Sequence, residues 1–332
     1  MPKRHRILDH IWYGRSAWAW ALLPLSGLYR AVVGVRRLIY HVGIRKAQRL
    51  AVPVIVVGNL TVGGTGKTPL VTWLAQFLRA HGYRPGLVAR GYGGRARHWP
   101  QQVRPDSDPA TVGDEPVLLA RATGCPMAVA PDRVAAARAL LAHSDCDVII
   151  SDDGLQHHAL DRDVEIVVID GVRRFGNGHC LPAGPLREPA RRLSEVDLVV
   201  SNGPAQAGEF AMLVRVTGAR NLVSGEQRPL VAFRGTDLHA VAGIGRPERF
   251  FGALREQGLD IQAHAFPDHH RFRAEELAFP GNVLMTEKDA VKCQAFAQPS
   301  FWAVGTQIEL DPAFGARVLE LLRGTESGPD GP

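Results

Sequence analysis

The sequence predicts an α/β protein in which a parallel sheet carries a nucleotide-binding loop. From Val52 onward, short apolar strands alternate with helical patterns, which is the order that a parallel sheet requires. An apolar strand at 54–57 runs into a glycine-rich turn that ends in Gly66-Lys67-Thr68, and a later apolar strand ends in Asp152-Asp153. A strand followed by such a turn and a helix is the sequence form of a P-loop.

The predicted phosphate-binding loop comprises Thr61, Val62, Gly63, Gly64, Thr65, Gly66, Lys67 and Thr68. Its glycines let backbone N–H groups turn towards a phosphate without a clash from Cβ, and a helix that begins near Lys67 adds the positive end of its dipole. Lys67 is expected to reach the β- and γ-phosphates, and the Thr68 hydroxyl to bind Mg²⁺. Thr61 stands where the usual motif opens with glycine, so we expect Gly63 and Gly64 to supply the flexibility.

The first fifty residues are basic and rich in aromatic side chains, and they include Trp12, Trp18 and Trp20. Ten Lys or Arg residues and one acid, Asp9, give this segment a charge of +9, which leaves −3 for the rest of a chain whose net charge is +6. Because the basicity is local, the body of the protein is not expected to bind nucleic acid in general.

The apolar run at 16–35 has about the 20 residues of a membrane span, but Pro24 and Arg30 interrupt it. A cleaved signal peptide fits poorly, because bulky and charged residues fill the region where cleavage would occur. We predict that residues 1–50 form helices in the membrane interface on the cytoplasmic side, with Trp and Tyr at the headgroups and Arg and Lys towards anionic lipid. The alternative is a basic amphipathic helix that packs on its own catalytic domain.

Residues 51–225 are predicted to form the nucleotide-binding core. A strand at 87–90 leads into Arg90-Gly91-Tyr92, the polar segment 95–109 is predicted to be an exposed loop, and Gly113-Asp114-Glu115-Pro116 opens a helix. Asp132 is expected to cap a helix over 133–142. Further strands are predicted at 127–129, 165–170 and 197–200.

The strand at 147–151 ends in Asp152 and Asp153, which is the Walker B arrangement. We expect these acids to hold Mg²⁺, directly or through water, beside the threonine of the phosphate loop. The alternative is a strand that ends in an ordinary Asp-Gly turn.

Residues 226–325 are predicted to form a second, smaller α/β unit, with strands at 239–243 and 283–286 and a helix over 247–257. Residues 326–332 are predicted to be a disordered tail. The four cysteines are scattered without a Cys-x-x-Cys pair, so we expect reduced thiols and no disulfide or zinc framework.

A P-loop with a Walker B strand predicts a nucleoside triphosphate and Mg²⁺. We favour ATP, because Thr286-Glu287-Lys288-Asp289 is only a rearranged form of the motif with which guanine-specific proteins read the base. Transfer to a hydroxyl needs a carboxylate that orients or accepts the proton, and Asp114 is a candidate, although a helix N-cap is the alternative. His269 is a candidate to pair with Asp114, but a lone histidine is more often structural.

Seven short motifs follow one another along the chain: Thr-Val-Gly-Gly-Thr-Gly-Lys-Thr-Pro (61–69), Arg-Gly-Tyr-Gly-Gly (90–94), Gly-Asp-Glu-Pro (113–116), Asp-Asp-Gly-Leu-Gln-His (152–157), Gly-Pro-Leu-Arg-Glu-Pro (184–189), Phe-x-Asp-His-His-x-Phe (266–272) and Thr-Glu-Lys-Asp-Ala (286–290). Each alone is weak, but in this order they resemble the tetraacyldisaccharide 4′-kinase family of the lipid A pathway in Gram-negative bacteria. The resemblance spans residues 12–322, and this family also lacks the first P-loop glycine.

The resemblance implies that ATP donates its γ-phosphate to the 4′-hydroxyl of a tetraacylated glucosamine disaccharide 1-phosphate, giving lipid IVA and ADP. It implies a RecA-like P-loop NTPase core, a smaller C-terminal α/β domain and an N-terminal membrane-associating helix at the cytoplasmic face of the inner membrane. Such an acceptor does not readily leave the bilayer, since each buried CH₂ contributes about 0.8 kcal/mol, which suits a basic, Trp-rich N-terminus.

The resemblance also implies roles for individual residues. Lys67 and Thr68 bind phosphate and Mg²⁺, Asp152 and Asp153 are the Walker B acids, and Glu115 assists the metal. Asp114 and His269 form a catalytic pair that acts on the sugar hydroxyl; His269 is preferred to His270 because it directly follows Asp268. Arg187 and Glu188 belong to an active-site loop, and Arg90 and Tyr92 lie near the nucleotide.

Two other functions stay open at this point. A nucleotide switch would hydrolyse ATP or GTP without a lipid acceptor. A non-catalytic membrane adaptor would bind ATP without using Asp114 for chemistry.

Overall fold

The computed structural model describes residues 3–14 and 16–326 and has an α/β fold built on one large mixed sheet. The strands are β1 (Val54–Gly58), β2 (Pro85–Ala89), β3 (Gln101–Val103), β4 (Met127–Val129), β5 (Val148–Asp152), β6 (Val164–Asp170), β7 (Leu198–Asn202), β8 (Phe210–Asn221), β9 (Gln227–Pro229), β10 (Leu238–Ala242), β11 (Gln262–Ala265), β12 (Asn282–Thr286) and β13 (Phe301–Leu310). The helices are α1 (Lys3–Tyr13), α2 (Ala17–Ala21), α3 (Leu23–His41), α4 (Lys67–Ala80), α5 (Pro109–Val112), α6 (Asp114–Thr123), α7 (Arg133–His143), α8 (Pro247–Glu256), α9 (Glu287–Cys293) and α10 (Pro312–Glu326).

The sheet has the strand order β11-β10-β12-β13-β8-β7-β6-β1-β5-β2-β4-β3, with β9 paired to β8. The pairs β3–β4, β8–β9 and β8–β13 are antiparallel, whereas the strands around β1 are parallel. Because Val57 of β1 lies opposite Asp152 of β5 in the parallel register, the phosphate loop and the Walker B acids leave the sheet side by side. The predicted α/β class with a parallel core is confirmed.

Strand β1 is buried on both faces, as the continuous apolar run at 54–57 requires. Ile55 and Val57 join the core cluster that contains Leu70 and Leu74 of α4. The alternate residues of β1 join a second cluster on the opposite face, which includes α7. Helix α7 begins where the sequence predicted it. The Asp132 carboxylate caps it by accepting a hydrogen bond from the Val134 N–H at 2.9 Å.

The predicted boundary after residue 225 falls between β8 and β9, and the division into units 51–225 and 226–325 stays a prediction. The two long strands β8 and β13 pair with each other, so the sheet continues without a break from the first unit into the second. Helix α10 ends at Glu326, and residues 327–332 of the predicted disordered tail lie outside the described residues.

The prediction of an exposed loop at 95–109 is wrong in part. Gln101–Val103 forms β3, which pairs antiparallel with β4, and Pro109 begins α5. The segment is polar because β3 is a short strand at the edge of the sheet, where only one face is covered. Cys125, Cys146, Cys180 and Cys293 are buried free thiols.

The N-terminal helices pack with one face on the loop at 173–195. The Ser26 hydroxyl donates to the Cys180 carbonyl at 2.7 Å, the Tyr29 hydroxyl donates to the Arg187 carbonyl at 3.1 Å, and Trp12 Nε1 donates to the Pro182 carbonyl at 3.0 Å. No helix in the described ranges 3–14 and 16–326 combines the length and the apolar character needed to cross a membrane.

Gly58 at the end of β1 leaves no room for a side chain, because a Cβ there would lie 2.5 Å from the Cβ of Leu155. We expect Gly58→Ala to push the turn after β5 away from β1 and to lower the free energy of unfolding by about 1–3 kcal/mol. The urea midpoint measures this loss. Gly252→Ala in α8 is the control, since a Cβ at that position would meet no neighbouring atom within 4 Å. Equal destabilisation by both changes would contradict the steric account.

Candidate active site

One cavity of about 2070 Å³ lies where β1 and β5 end. Its lining includes residues 61–68, Arg90, Tyr92, Glu115, Asp152, Asp153, Arg187, Glu188, His269 and Lys288. Asp114 is the predicted site residue that does not line it: its side chain is buried directly behind His269. The structure therefore brings the predicted residues together from segments far apart in the chain.

The phosphate loop is held by two asparagines. Asn59 Nδ2 donates to the carbonyls of Thr61 and Gly63 at 2.7 and 3.2 Å, and Asn59 Oδ1 accepts a hydrogen bond from Lys67 Nζ at 3.1 Å. Asn202 Nδ2 donates to the Thr65 carbonyl at 3.0 Å. The loop is thus shaped by its own neighbours before any phosphate enters it.

Glycine is required at Gly66 for two reasons. Its φ is +101°, a left-handed conformation, and a Cβ there would lie 2.5 Å from Asn202 Nδ2. Thr61 needs no such freedom, because it forms an antiparallel bridge with Leu186 and is extended. The active-site loop therefore lies directly against the phosphate loop, and the missing first glycine of the motif is explained.

Asp152 is an unpaired, buried carboxylate. It is 4% exposed, and its Oδ1 has no hydrogen-bond partner. Burial raises the pKa of Asp152 to about 7, with the Glu115 carboxylate adding to the rise and Lys67 opposing it. A buried oxygen of this kind beside a phosphate loop fits a divalent cation.

The surroundings also fit Mg²⁺. Thr68 and Glu115 line the same cavity as Asp152. Mg²⁺ needs only one or two protein carboxylates when it also binds phosphates and water. In the part of the chain that the structure describes, no group of three or more His, Cys, Asp or Glu side chains is placed to hold a metal ion.

Asp153, in contrast, already has cationic partners. Arg187 Nη1 donates to both of its oxygens at 3.0 Å, and Lys67 Nζ lies 3.5 Å from Oδ1. Burial raises the pKa of Asp153, but Lys67 and Arg187 outweigh burial and lower it to about 2. Asp153 therefore joins the phosphate-loop lysine to the arginine of the active-site loop.

Asp114 and His269 form a hydrogen-bonded pair, with His269 Nδ1 at 3.1 Å from both Asp114 oxygens. Asp114 was also considered as a simple N-cap of its helix. The N-cap of α6 is Gly113, so Asp114 does not have that role. Burial raises the pKa of Asp114, but His269 and then Lys288 outweigh burial and lower it to about 2. The bond to Asp114 raises the pKa of His269, and burial and Lys288 oppose the rise. His270 bonds Glu276 instead.

Lys288 and Asp268 were not predicted as site residues from local patterns. Lys288 Nζ donates to Glu115 Oε1 at 2.9 Å and to Asp268 Oδ1 at 3.2 Å. Burial lowers the pKa of Lys288, but the carboxylates of Glu115, Asp268 and Asp114 outweigh burial and raise it. The motif 286–290 carried the signal, since it places a lysine at the start of a helix after a strand. Asn59 and Asn202 had no comparable signal.

The fold and this loop define a P-loop nucleoside-triphosphate-binding protein. The model of the tetraacyldisaccharide-1-P 4′-kinase family matches residues 18–323, and the chain belongs to that family.

Named relatives cover nearly the whole chain. A tetraacyldisaccharide 4′-kinase from Nitrosococcus oceani is 62% identical over 94% of this chain and 93% of its own length. One from Alkalilimnicola ehrlichii is 55% identical over 90% of this chain and 91% of its own length. The crystal structure of LpxK from Aquifex aeolicus in complex with ATP superposes with a TM-score of 0.78 at 28% identity, over 92% of this chain and 99% of that one.

We expect Asp152→Asn to stabilise the protein in the absence of Mg²⁺ at alkaline pH. The pKa of Asp152 is about 7 in the fold against an ordinary 3.8, so ionisation opposes folding. At pH values below 3.8 the Asp152 carboxyl is protonated in both the folded and the unfolded protein, and its ionisation costs no stability. The loss of stability grows as the pH rises from 3.8 to about 7 and is constant above that. It amounts to at most about 4 kcal/mol.

Melting temperatures with and without Mg²⁺ measure this effect, and Mg²⁺ should stabilise the unsubstituted protein but not Asp152→Asn. Asp153→Asn is the matched control: it breaks two ion pairs and should destabilise. If Asp152→Asn destabilised the metal-free protein as Asp153→Asn does, Asp152 would not be the unpaired carboxylate of this site.

Proposed function

We propose that this protein transfers the γ-phosphate of ATP to the 4′-hydroxyl of a tetraacyldisaccharide 1-phosphate, which gives lipid IVA in lipid A biosynthesis. The observation that carries the proposal is the Asp114–His269 pair, held at 3.1 Å beside the cavity that the phosphate loop lines. A hydroxyl acceptor needs such a pair, whereas a protein that only binds nucleotide does not.

The phosphate loop binds the triphosphate of ATP. Backbone N–H groups at 63–66 are the donors proposed for the phosphates. The N-terminus of α4, where Lys67 and Thr68 lie, adds its dipole. Lys67 and Arg187, which share Asp153, place two cations beside the transferred group. Arg90 and Tyr92 line the same cavity, and they are proposed to contact the nucleotide there.

Asp152 and Thr68 are the residues that hold Mg²⁺, with Glu115 and Asp153 close by. When bound, Mg²⁺ neutralises the charge that develops on the phosphate oxygens. Asp152 supplies its unpaired oxygen in the ionised form, and Lys288 keeps Glu115 in place at 2.9 Å.

The Asp114–His269 pair orients the acceptor and takes its proton. As the new bond from the 4′-oxygen to the γ-phosphorus forms, the bond from that phosphorus to the β,γ-bridging oxygen breaks and ADP leaves. The proton of the hydroxyl passes to the Asp114–His269 pair, which titrates as a unit. Because Lys67 and Arg187 attract the transferred phosphoryl group, the base needs only modest strength.

The N-terminal helices are proposed to lie on the anionic surface of the inner membrane, at its cytoplasmic face. Trp18 and Trp20 are 70% and 73% exposed, and the outer side of α3 exposes further apolar side chains. These are Leu25, Leu28, Val32, Val35 and Leu38. The catalytic cavity extends to Val32 and Arg36 of α3, so an acylated sugar has a path from the bilayer to the phosphate loop. The basic N-terminus thus serves a lipid surface and not nucleic acid.

The decisive assay incubates the protein with γ-labelled ATP and detergent-dispersed disaccharide 1-phosphate and follows the label. A doubly phosphorylated glycolipid is the expected product. Label released only as inorganic phosphate, at a rate that does not depend on the acceptor, would support a nucleotide switch and contradict the kinase.

Asp114→Asn should lower kcat by more than about a hundredfold, because a lost general base costs roughly 10²–10⁴. ATP affinity should change little, since Asp114 does not line the cavity. Calorimetric ATP titration and the labelled assay measure the two effects. Asp108→Asn, at the exposed N-cap of α5, is the matched control and should keep its turnover. Near-normal turnover in Asp114→Asn would remove the role assigned to the pair.

Replacing both Trp18 and Trp20 by Glu should weaken binding to vesicles that contain anionic phospholipid by about tenfold or more, because it removes apolar area and adds negative charge. Co-sedimentation measures the bound fraction. Val223→Glu with Val231→Glu is the control, since these valines are 57% and 56% exposed outside the N-terminal helices. An equal loss in both variants would mean that α2 has no special contact with the bilayer.

A further inference from the structure

Lys288 occupies the junction between the catalytic pair and the predicted metal-binding acids. Its side chain is 14% exposed, and its Nζ lies 2.9 Å from Glu115 Oε1, 3.2 Å from Asp268 Oδ1 and 3.4 Å from His269 Nε2. Asp114 Oδ2 lies further away, at 4.0 Å. One ammonium group thus faces α6 on one side and the segment that carries His269 on the other.

Asp114 fixes the position of the proton in the neutral His269 ring. An ionised carboxylate only accepts hydrogen bonds, so the ring nitrogen that faces it carries the proton. His269 Nδ1 is that nitrogen, at 3.1 Å from both oxygens of Asp114. Nε2 therefore keeps its lone pair, and Lys288 Nζ lies 3.4 Å from it, beyond the ordinary length of an N–H hydrogen bond.

Lys288 is presented from a rigid support. It lies in the first turn of α9, whose N-cap Thr286 accepts a hydrogen bond from the Asp289 N–H. Asp289 is fully buried, and its Oδ2 accepts hydrogen bonds from the Gly243 N–H at 2.9 Å and the Thr286 hydroxyl at 2.6 Å. The start of α9 is thereby fixed to the end of β10, so the ammonium can define the position of its partners.

We propose that Lys288 is a positioning residue that acts through His269: its ammonium joins Glu115 of α6 to Asp268, which directly precedes His269, and so holds His269 against Asp114. Its effect on catalysis rests on the proposed function, whereas its effect on the position of His269 does not. Two competing accounts exist, a general structural role for a buried ion pair and a role through Glu115 and the metal.

The kinetic test is a double-mutant cycle. Lys288→Met should lower kcat by about 10–100-fold, the range for loss of a supporting partner, and leave the KM for ATP within about threefold, because the phosphate loop is untouched. In a His269→Ala background the same change should cost less than about threefold more, since residues that act through one another are not additive. Full additivity with His269→Ala, or coupling to Glu115→Gln alone, would overturn the proposal.

The spectroscopic test needs no activity. Protein labelled with ¹⁵N in its histidine rings is compared with His269→Ala to assign the His269 signals at alkaline pH. We expect an Nδ1–H proton signal that the bond to Asp114 shifts and protects from exchange, and in Lys288→Met a signal that moves or broadens because His269 is less well held against Asp114. An unchanged Nδ1–H signal in Lys288→Met would overturn the proposal. A kinase assay without product in the unsubstituted protein would sink the proposed function and leave this spectroscopic result standing.

Two variants guard against a trivial loss of folding. Lys288→Arg keeps a positive donor and should keep the Nδ1–H signal of His269 and recover part of kcat. Lys292→Met removes another buried lysine of α9, whose Nζ lies 2.7 Å from Asp289 Oδ1 and 5.0 Å from the Phe272 ring and which does not line the cavity. It should lower the melting temperature like Lys288→Met while keeping kcat within about threefold. An equal fall of kcat in Lys292→Met would favour the structural account.

Discussion

The candidate active site depends on one constraint: the carboxylates that are buried where β5 ends and α6 begins need partners that neutralise their charge. Asp153 has Lys67 and Arg187, Asp114 has His269, and Glu115 has Lys288. A buried charge is tolerated only when partners replace its hydration. Asp152 keeps a buried oxygen without a partner, so the arrangement is balanced except at the point where a cation fits.

The same constraint connects the two halves of the chain. Asp114 and Glu115 begin α6, while Asp268, His269 and Lys288 come from the segment after β11 and from α9. The backbone of His269 has a φ of +58°, which a non-glycine residue adopts only when its surroundings demand it. The hydrogen bonds of His269 to Asp114 and Asp268 hold its backbone in this conformation. The Asp114–His269 pair therefore forms only when the two halves of the chain are folded against each other.

The N-terminal helices have two faces with different tasks. One face is fixed to the loop at 173–195 by Ser26, Tyr29 and Arg37, which pairs with Glu195. The other leaves large apolar side chains in solvent, which a protein avoids unless another surface covers them. The segment thus packs on its own core, as one of the two alternatives expects, and its exposed apolar face is what supports the proposal of a membrane contact.

Local patterns were enough to predict β1, the phosphate loop, the Walker B strand and the Asp132 cap of α7. Strand periodicity, turn glycines and capping act between residues a few positions apart, and they leave their mark in the sequence. The resemblance added the pairing of Asp114 with His269, which are 155 positions apart. Strands β3, β8 and β13 were not predicted from the sequence. A short edge strand and half-exposed strands depend on pairing with strands elsewhere in the sheet, and local patterns do not show that pairing.

The sequence by itself thus determined the parallel core and the nucleotide-binding loop, since both depend on backbone geometry and burial within short segments. The tertiary structure alone decided the charge partners: Lys288 meets Glu115 across 173 positions, and Arg187 meets Asp153 across 34. An ion pair depends on which side chains lose water together, and only the folded chain settles that.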